Sequence, residues 1–471
     1  MIRSGATIGK NATIFQGVTI GSNRFADNNS PAILGDNVIL FPGVKIIGHV
    51  IIGNNVVVGA NSVVTKDIPD GAVSAGIPAK ILNYNGADYI KYYCVINKFT
   101  SMNICCIFNY PPHYRKAIYH KMDNELNCDF YFGDSVPGTL ADMNCSDLKG
   151  FKGRIKNIIK GRHIVWQEGI IRLLFRPYKY YIMTVDTAAF SNWVFVYMGW
   201  LLGKKIYFWT HGCRGGETFF ARVKNRLFFT PSEGLFLYSE YAKHLLVNQG
   251  YSTEKLHVIA NSLDYDVHVQ LRKFLTKNDV YRTHFCNEYP TLIFTGRLEP
   301  GKKLHQILEA MAHLREDGLY INLVLVGEGN SRELLVQLAE DLQISKNIWF
   351  YGACYDERQL SDLIYNADIC ISPGNIGLTA IHALSFGTPI ATHSNFSNQM
   401  PEFEAIIPEV NGTFFVENDT ESLCKSISEW LIKHPTKSKA LIENCFRIID
   451  KKYNPYFQIE VMKEVLLIGG I

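Results

Sequence analysis

Thr291-Leu292-Ile293-Phe294-Thr295-Gly296-Arg297-Leu298-Glu299-Pro300-Gly301-Lys302 opens the stretch whose reading decides the fold. Asn375-Ile376-Gly377-Leu378-Thr379-Ala380-Ile381-His382-Ala383-Leu384-Ser385-Phe386-Gly387-Thr388-Pro389 closes it. Between them, short apolar runs predict strands over 292–295, 323–326, 348–351 and 369–372. Amphipathic runs predict helices over 306–314, 333–342 and 357–365. Strands of four or five apolar residues separated by helices indicate parallel βαβ units, buried on both faces.

In such sheets ligands sit beyond the carboxyl ends of the strands. Arg297 and Lys302 follow the first strand, so two cations can converge on a diphosphate. Gly374 to Leu378 follow the last strand and lead into a helix starting near Thr379. Glycine lets backbone approach a ligand closely, and a helix start offers free N–H groups to an anion. Both features point to a nucleotide-sugar diphosphate.

In combination, Gly296-Arg297-Leu298, Lys302, Leu325-Val326-Gly327-Glu328-Gly329, Phe350-Tyr351-Gly352, Ala367-Asp368, Ser372-Pro373, Gly377-Leu378 and Phe386-Gly387-Thr388-Pro389 resemble family 4 glycosyltransferases. These are GT-B enzymes that use nucleotide sugars with retention of configuration. The resemblance implies two Rossmann-like α/β domains. It places donor contacts at Gly296, Gly327, Tyr351, Gly352, Asn375, Gly377, Leu378 and His382, and charge stabilisation at Arg297 and Lys302. No metal or other cofactor is expected. One departure stands out: the family's Glu-x7-Glu reads Gly374 and His382 here, and His382 is expected to hydrogen-bond a ribose hydroxyl instead. Glu402 and Glu404, after a strand expected at 389–392, are read either as replacements for the missing carboxylates or as part of an exposed loop.

The first 82 residues follow a different rule. Ile2, Ile8, Ile14 and Ile20 are six apart, and after an insert at 22–31 the step resumes at Leu34, Leu40, Ile46, Ile52, Val58 and Val64. Gly follows many of them, and Asn or Asp marks the turns. One inward aliphatic per hexad with such turns specifies stacked coils of a parallel β-helix. Residues 52–69 and Ala75-Gly76-Ile77-Pro78-Ala79-Lys80 resemble the end of bacterial serine acetyltransferases, members of the left-handed β-helix hexapeptide acyltransferases. The resemblance implies a homotrimer and a coenzyme A border at Gly59, Gly76 and Lys80. It begins downstream of that family's catalytic His, and a second family His is Ser30 here. His49 lies on a later coil. The coils are therefore expected to oligomerise without transferring acetyl groups, and acetyl-CoA would be needed only if they were active.

Residues 83–101 lose periodicity and read as a linker. Residues 102–265 form a second α/β unit, with strands over 103–108, 181–185, 206–209 and 234–238 and helices over 193–202, 221–229 and 241–250. This part resembles the acceptor-binding half of the same glycosyltransferases, with His113 and Arg115 on the acceptor side and His211 facing the donor sugar. Residues 266–471 form the donor half, whose last helix, 455–468, is expected to cross back onto residues 102–265.

Composition sets the remaining bounds. The 471 residues exceed one domain, and 47% hydrophobic with 19% charged residues suits a folded chain. Eleven cysteines without a Cys-x-x-Cys suggest reduced thiols and a cytoplasmic setting. The longest apolar run, 193–202, is too short to span a bilayer and is expected to be a buried helix. A net charge of +3 implies no nucleic-acid partner. Yet 149–179 carries nine Lys/Arg against Glu168 alone, a local +8. Interleaved with Trp166 and Phe175, it suits either an anionic membrane surface, on the inner face of the cytoplasmic membrane, or a solvated helix face. The whole reads as a β-helix followed by a GT-B glycosyltransferase acting on a lipid-linked or polysaccharide acceptor.

Overall fold

A computed structural model describes residues 1–21, 30–91, 102–134, 142–160, 163–184 and 186–468. Most of the insert at 22–31, the second half of the linker and Arg162 lie outside these residues. The chain divides into two compact units, Met1–Ser101 and Met102–Ile471.

The first unit is a three-faced parallel β-helix. Strands Thr7–Ile8, Ile33–Leu34 and Ile51–Ile52 stack on one face, and Thr19–Gly21, Lys45–Ile47 and Val63–Val64 on another. The third face holds Thr13–Ile14, Ile39–Leu40, Val57–Val58 and Val73–Ala75, with Lys80–Asn83 added antiparallel at its edge. Leu34, Leu40, Ile46, Ile52, Val58 and Val64 are buried, as the six-residue step requires. A second buried row, Val38, Val44, Val50 and Val56, sits two residues earlier in each hexad. The turns are held by ladders. Asn11, Asn37 and Asn55 all adopt positive φ (56°, 56° and 55°), a region Asn tolerates better than most residues. The side-chain amide of Asn11 donates to Asn37 Oδ1, and that of Asn37 to Asn55 Oδ1, each at 3.1 Å. Beside them Asp36 N donates to Asn54 Oδ1 and Asn54 N to Asp70 Oδ1.

The second unit contains two parallel sheets. In the first, β1 (Ile104–Phe108), β2 (Cys128–Gly133), β3 (Phe151–Ile155), β6 (Tyr180–Thr184), β7 (Lys205–Thr210), β8 (Gly234–Leu237) and β9 (Leu256–Val258) lie in the order β3-β2-β1-β6-β7-β8-β9. A hairpin of β4 (Asn157–Lys160) and β5 (His163–Gln167) interrupts the succession. The second sheet has the order β12-β11-β10-β13-β14-β15, from β10 (Thr291–Thr295), β11 (Asn322–Val326), β12 (Ile348–Gly352), β13 (Ile369–Ser372), β14 (Ile390–His393) and β15 (Gly412–Phe415). Its central strands are buried end to end, so apolar runs alone reveal them. The helices nearest the site are α1 (Lys116–Leu126), α2 (Phe190–Leu201), α3 (Phe219–Phe229), α4 (Glu240–Asn248) and α5 (Tyr265–Arg272). They are followed by α6 (Val280–Phe285), α7 (His305–Glu316), α8 (Arg332–Asp341), α9 (Glu357–Asn366) and α10 (Thr379–Ser385), then α11 (Thr420–Lys433), α12 (Lys439–Lys451) and α13 (Pro455–Ile468).

The last helix, α13, packs against α1. Lys463 pairs with Glu125 of α1 at 2.7 Å, and Lys121 of α1 sits 3.5 Å from the centroid of the Tyr456 ring. Ser262 donates to Gln458 Oε1 at 2.5 Å, and Gln458 Nε2 to the Ala260 carbonyl at 3.1 Å.

Two expectations need correction. The basic stretch 149–179 is not a helix face: it forms β3, the β4–β5 hairpin and a 3-10 segment, Ile170–Phe175. Much of its charge is matched, by Lys152–Asp129, Arg154–Asp142 and Lys156–Glu168. Residues 193–202 are helical but not fully buried. Phe195 and Val196 face the core, whereas Trp200 and Leu201 remain 59% and 76% exposed. The run is apolar all round because both of its faces are apolar, and only one is covered.

Candidate functional site

The carboxyl ends of the two sheets enclose a cavity of about 870 Å³. His113, Tyr114 and Lys116 reach it from the segment after β1. Gly296 and Arg297 follow β10, Gly327 and Glu328 follow β11, and Cys354, Tyr355 and Glu357 follow β12. Leu378, Thr379 and His382 close it from α10, and His268 from α5. Of the residues expected to touch a donor, Gly296, Arg297, Gly327, Leu378 and His382 line this cavity, and so does His113.

Gly327 has φ 147°, and a Cβ there would overlap the Gly296 carbonyl. The close approach of the loops after β10 and β11 therefore requires glycine. Gly352 lies one layer behind, its carbonyl accepting from Gly327 N at 2.8 Å. Tyr351 points away from the cavity toward Trp349 and Gln359.

Arg297 is an exposed guanidinium paired with Glu299 at 2.9 Å. The Lys302 ammonium is more enclosed and donates to both the carbonyl and Oδ1 of Asn375, at 2.7 and 2.9 Å. Burial, and then the nearby Arg297, lower the Lys302 pKa; Glu299 and Glu402 act against this. The two cations thus share one field, but Asn375 serves Lys302 rather than the cavity. The loop that holds Asn375 and Gly377 is braced from beneath: Gln399 Oε1 accepts from Ile376 N, and its amide donates to Thr392 Oγ1 and the His393 carbonyl.

The segment 399–404 is not an exposed loop. Glu402 is buried, accepts from Asn261 Nδ2 at 2.7 Å, and burial raises its pKa. Glu404 accepts from the backbone N–H groups of Glu240 and Tyr241 at 2.9 and 2.5 Å, capping the start of α4 from the other half. Neither carboxylate lines the main cavity.

His211 ends β7 beside Tyr238, ring to ring at 4.6 Å. Its Nδ1 is buried and finds no partner among the described residues. Burial pushes its pKa down to about 3, with help from Arg214 and Arg115, so the ring is neutral at physiological pH. It lines a smaller recess with Ser239, Tyr241 and Gln399 rather than the main cavity. Arg115 is enclosed behind it, 4.7 Å over the Trp209 ring and hydrogen-bonded to the Tyr238 hydroxyl.

His382 is occupied otherwise than expected. Its Nε2 meets Glu357 Oε1 at 2.6 Å, and His268 Nε2 meets the same oxygen at 3.0 Å. The imidazoles are stacked 5.3 Å apart with an 11° interplanar angle. Burial opposes the ionisation of Glu357, but the two His hydrogen bonds outweigh it and hold the carboxyl well below its usual range. Glu357 thus occupies His382 Nε2, one of the two ring nitrogens that could serve a ribose hydroxyl. Nothing in the sequence links residues 268, 357 and 382, which lie on three separate helices.

In the β-helix, Gly59 fits between coils, its Cβ position falling against Ala75. Gly76 is an exposed turn residue with φ 107°, and Lys80 is exposed at the edge strand.

Comparison with known proteins agrees with this architecture. Residues 276–447 match the glycosyl transferases group 1 family, and residues 31–66 the bacterial transferase hexapeptide (six repeats) family. The chain therefore carries a group 1 glycosyltransferase domain behind hexapeptide coils. Over 80 residues, 17% of the chain, it is 41% identical to serine acetyltransferase of Staphylococcus aureus and 42% identical to that of Staphylococcus epidermidis. It spans only 38% of the length of those proteins. The lipopolysaccharide outer core galactosyltransferase WaaB superposes on 78% of this chain and 99% of its own, with TM-score 0.59 and 14% identity. A glycosyltransferase from Rickettsia africae gives 0.58 and 17% over the same shares, and Anabaena HepE in complex with UDP gives 0.57 and 15%. The second unit is a GT-B fold.

Proposed function

We propose that the chain is a glycosyltransferase that moves a sugar from a nucleoside diphosphate donor to a lipid-linked or cell-surface glycan. The observation that carries this reading is the 870 Å³ cavity at the facing carboxyl ends of two parallel sheets, with Arg297 on its wall. Arg297 and Lys302 stabilise negative charge as the diphosphate departs, an interaction strongest in the transition state. The domain organisation implied is residues 1–82 as coils, 102–265 as the acceptor half and 266–471 as the donor half. His211, kept neutral by burial, serves as a hydrogen-bonding group for whatever part of the substrate reaches the smaller recess it lines. His113 faces the acceptor. Similarity in fold to HepE, solved in complex with UDP, supports a nucleotide-sugar donor. Thermal-shift measurements with UDP-, GDP- and ADP-sugars test it: one set is expected to raise the melting temperature, and no response to any of them overturns the reading.

The coils, in this proposal, assemble copies of the chain, with a homotrimer expected. Gly59 and Gly76 are accounted for by coil packing and turn geometry, so neither requires coenzyme A.

A second observation favours a peripheral place on an anionic membrane. Among the described residues no helix is long and apolar enough to cross a membrane. However, Phe220, Val223 and Leu227 form an exposed stripe on α3, and Tyr197, Trp200 and Leu201 form one on α2. The Tyr197 hydroxyl donates to the Leu227 carbonyl at 3.0 Å, so the stripes adjoin. Exposed Arg222 and Lys224 lie on α3 itself and carry no ion pair among the described residues. Aromatic residues bordered by unmatched cations suit the interface of an anionic bilayer. Sedimentation with phosphatidylglycerol vesicles is expected for the wild type and is expected to fall sharply for Phe219→Ser/Phe220→Ser. Equal sedimentation of the two overturns this placement.

A further inference from the structure

The cluster of His268, Glu357 and His382 has no part in the mechanism just described, although all three line the donor cavity. Their ligand-capable atoms, two imidazole Nε2 and one carboxylate oxygen, lie within 4.8 Å of one another. Two imidazoles and one carboxylate are the donor set preferred by zinc and its neighbours among divalent transition metals, and not by magnesium or calcium, which favour all-oxygen sites.

The geometry is prepared for an ion. Three helices, α5, α9 and α10, each contribute one donor. His268 is nearly inaccessible and packs 4.8 Å from the Phe386 ring. Glu357 is the first residue of α9, with Asp356 capping that helix. The two nitrogens converge on one oxygen at 2.6 and 3.0 Å. Around a tetrahedral zinc, donors about 2.0 Å from the ion stand about 3.3 Å apart. Widening the two contacts by about 0.3 and about 0.7 Å, with both Nε2 atoms free of their protons, would admit the ion. A salt-bridge role alone leaves unexplained why both imidazoles aim at one oxygen of a carboxylate that opens on a cavity.

We propose that His268, Glu357 and His382 form a binding site for a zinc-class divalent cation on the wall of the donor cavity. Three protein donors leave at least one coordination position, and it faces the cavity, where an oxygen of a bound molecule or water can take it. The site falls where the family's Glu-x7-Glu would have placed a carboxylate, so the ion restores an electrophilic or hydrogen-bond-organising centre at an edge that lost one. The ion site itself is independent of the donor reading; only its use of a donor oxygen rests on that reading.

The test uses the full-length chain, freed of metal by chelator and then titrated with Co²⁺ in the absence of nucleotide. The expected result is one Co²⁺ per chain with intense visible d–d absorption, displaced by Zn²⁺. His382→Ala and the near-isosteric Glu357→Gln are each expected to weaken binding by about 100-fold or more, the upper range seen even for groups one shell beyond a metal. Glu357→Gln preserves volume and so guards against a folding artefact, checked by its circular dichroism. Absence of the absorption in wild-type protein, or undiminished binding in both variants, overturns the proposal. A parallel thermal shift with UDP-, GDP- and ADP-sugars separates the outcomes: protein that binds one of them but no Co²⁺ refutes the metal site alone, and protein that binds Co²⁺ but none of them refutes the donor reading alone.

Discussion

The β-helix and the donor half are both built on parallel strands, yet they spend their polar turn residues differently. In the coils, Asn11, Asn37 and Asn55 donate to and accept from one another, and Asp36, Asn54 and Asp70 take backbone amides of the adjacent coil. Each polar group is consumed by its neighbour on the next coil of the stack. In the donor half, Arg297 and Glu357 extend from the strand ends into a cavity instead. Regular repetition satisfies its own loops, whereas a wound sheet gathers unlike loops at one edge and leaves some of their chemistry for a ligand. A long stretch of polar turns is therefore evidence of function only where the turns do not repeat.

The sharpest way to break that contrast is Arg297→Ala. It is expected to lower kcat by about 100-fold, the scale for removing one preorganised charge contact, measured as nucleoside diphosphate release. Removal of residues 1–101 is expected to leave the rate of residues 102–471 near that of the full chain, with a smaller assembly by light scattering. An inactive remainder would show that the coils do more than assemble.

Next comes the ladder itself. Asn37→Ala loses two amide contacts, at roughly 1 kcal/mol each, and forces Ala into a left-handed conformation that costs about 1 kcal/mol more. Isolated residues 1–101 are expected to unfold at clearly lower denaturant, with transfer by the full chain unchanged.

A third test uses acid. His211 is held neutral in the fold, with a pKa of about 3 against about 6.5 unfolded. A depressed base pKa gives stability that is present above about pH 6.5 and is lost as pH falls toward 3. Between pH 7 and pH 5 the second unit is expected to lose on the order of 1–2 kcal/mol through this group. His211→Gln should remove that part of the pH slope in urea titrations, and an unchanged slope would contradict the neutral assignment.

The smallest effect is expected at Lys152. It is exposed and paired with Asp129 at 3.1 Å, and such surface pairs contribute about 0–1 kcal/mol. Lys152→Ser should barely alter vesicle sedimentation, because the charge is already matched within the sheet.

The legible parts of the fold are those with one dominant physical cause. β13 was readable to the residue, and β10 and β11 within one, because strands buried on both faces must be apolar throughout; β12, half-buried at the sheet edge, was readable within one from its run of aromatic residues. The coils were readable because each hexad needs an inward aliphatic. β3 was not: Phe151-Lys152-Gly153-Arg154-Ile155 lies at a sheet edge, where alternate residues face water and charge hides the strand. At the site, Arg297, Gly296, Gly327 and Leu378 follow strand ends in sequence and so could be placed. The His268–Glu357–His382 cluster could not, since its meeting depends on how three helices pack. The bond from His382 to Glu357 was not legible because a position in a motif says nothing of its partner.

Glu404 has a further consequence. Its carboxylate holds the first amides of α4. Lys452 reaches Glu240 at 3.8 Å, and Gln458 is locked to Ala260 and Ser262. Parting the sheets on this side would strip a half-buried carboxylate of both its donors; parting them where His113 and Tyr355 look across the cavity would break none of these bonds. The second unit is thus bound like a book, with its spine along residues 240, 404 and 458 and its pages free to part at the cavity.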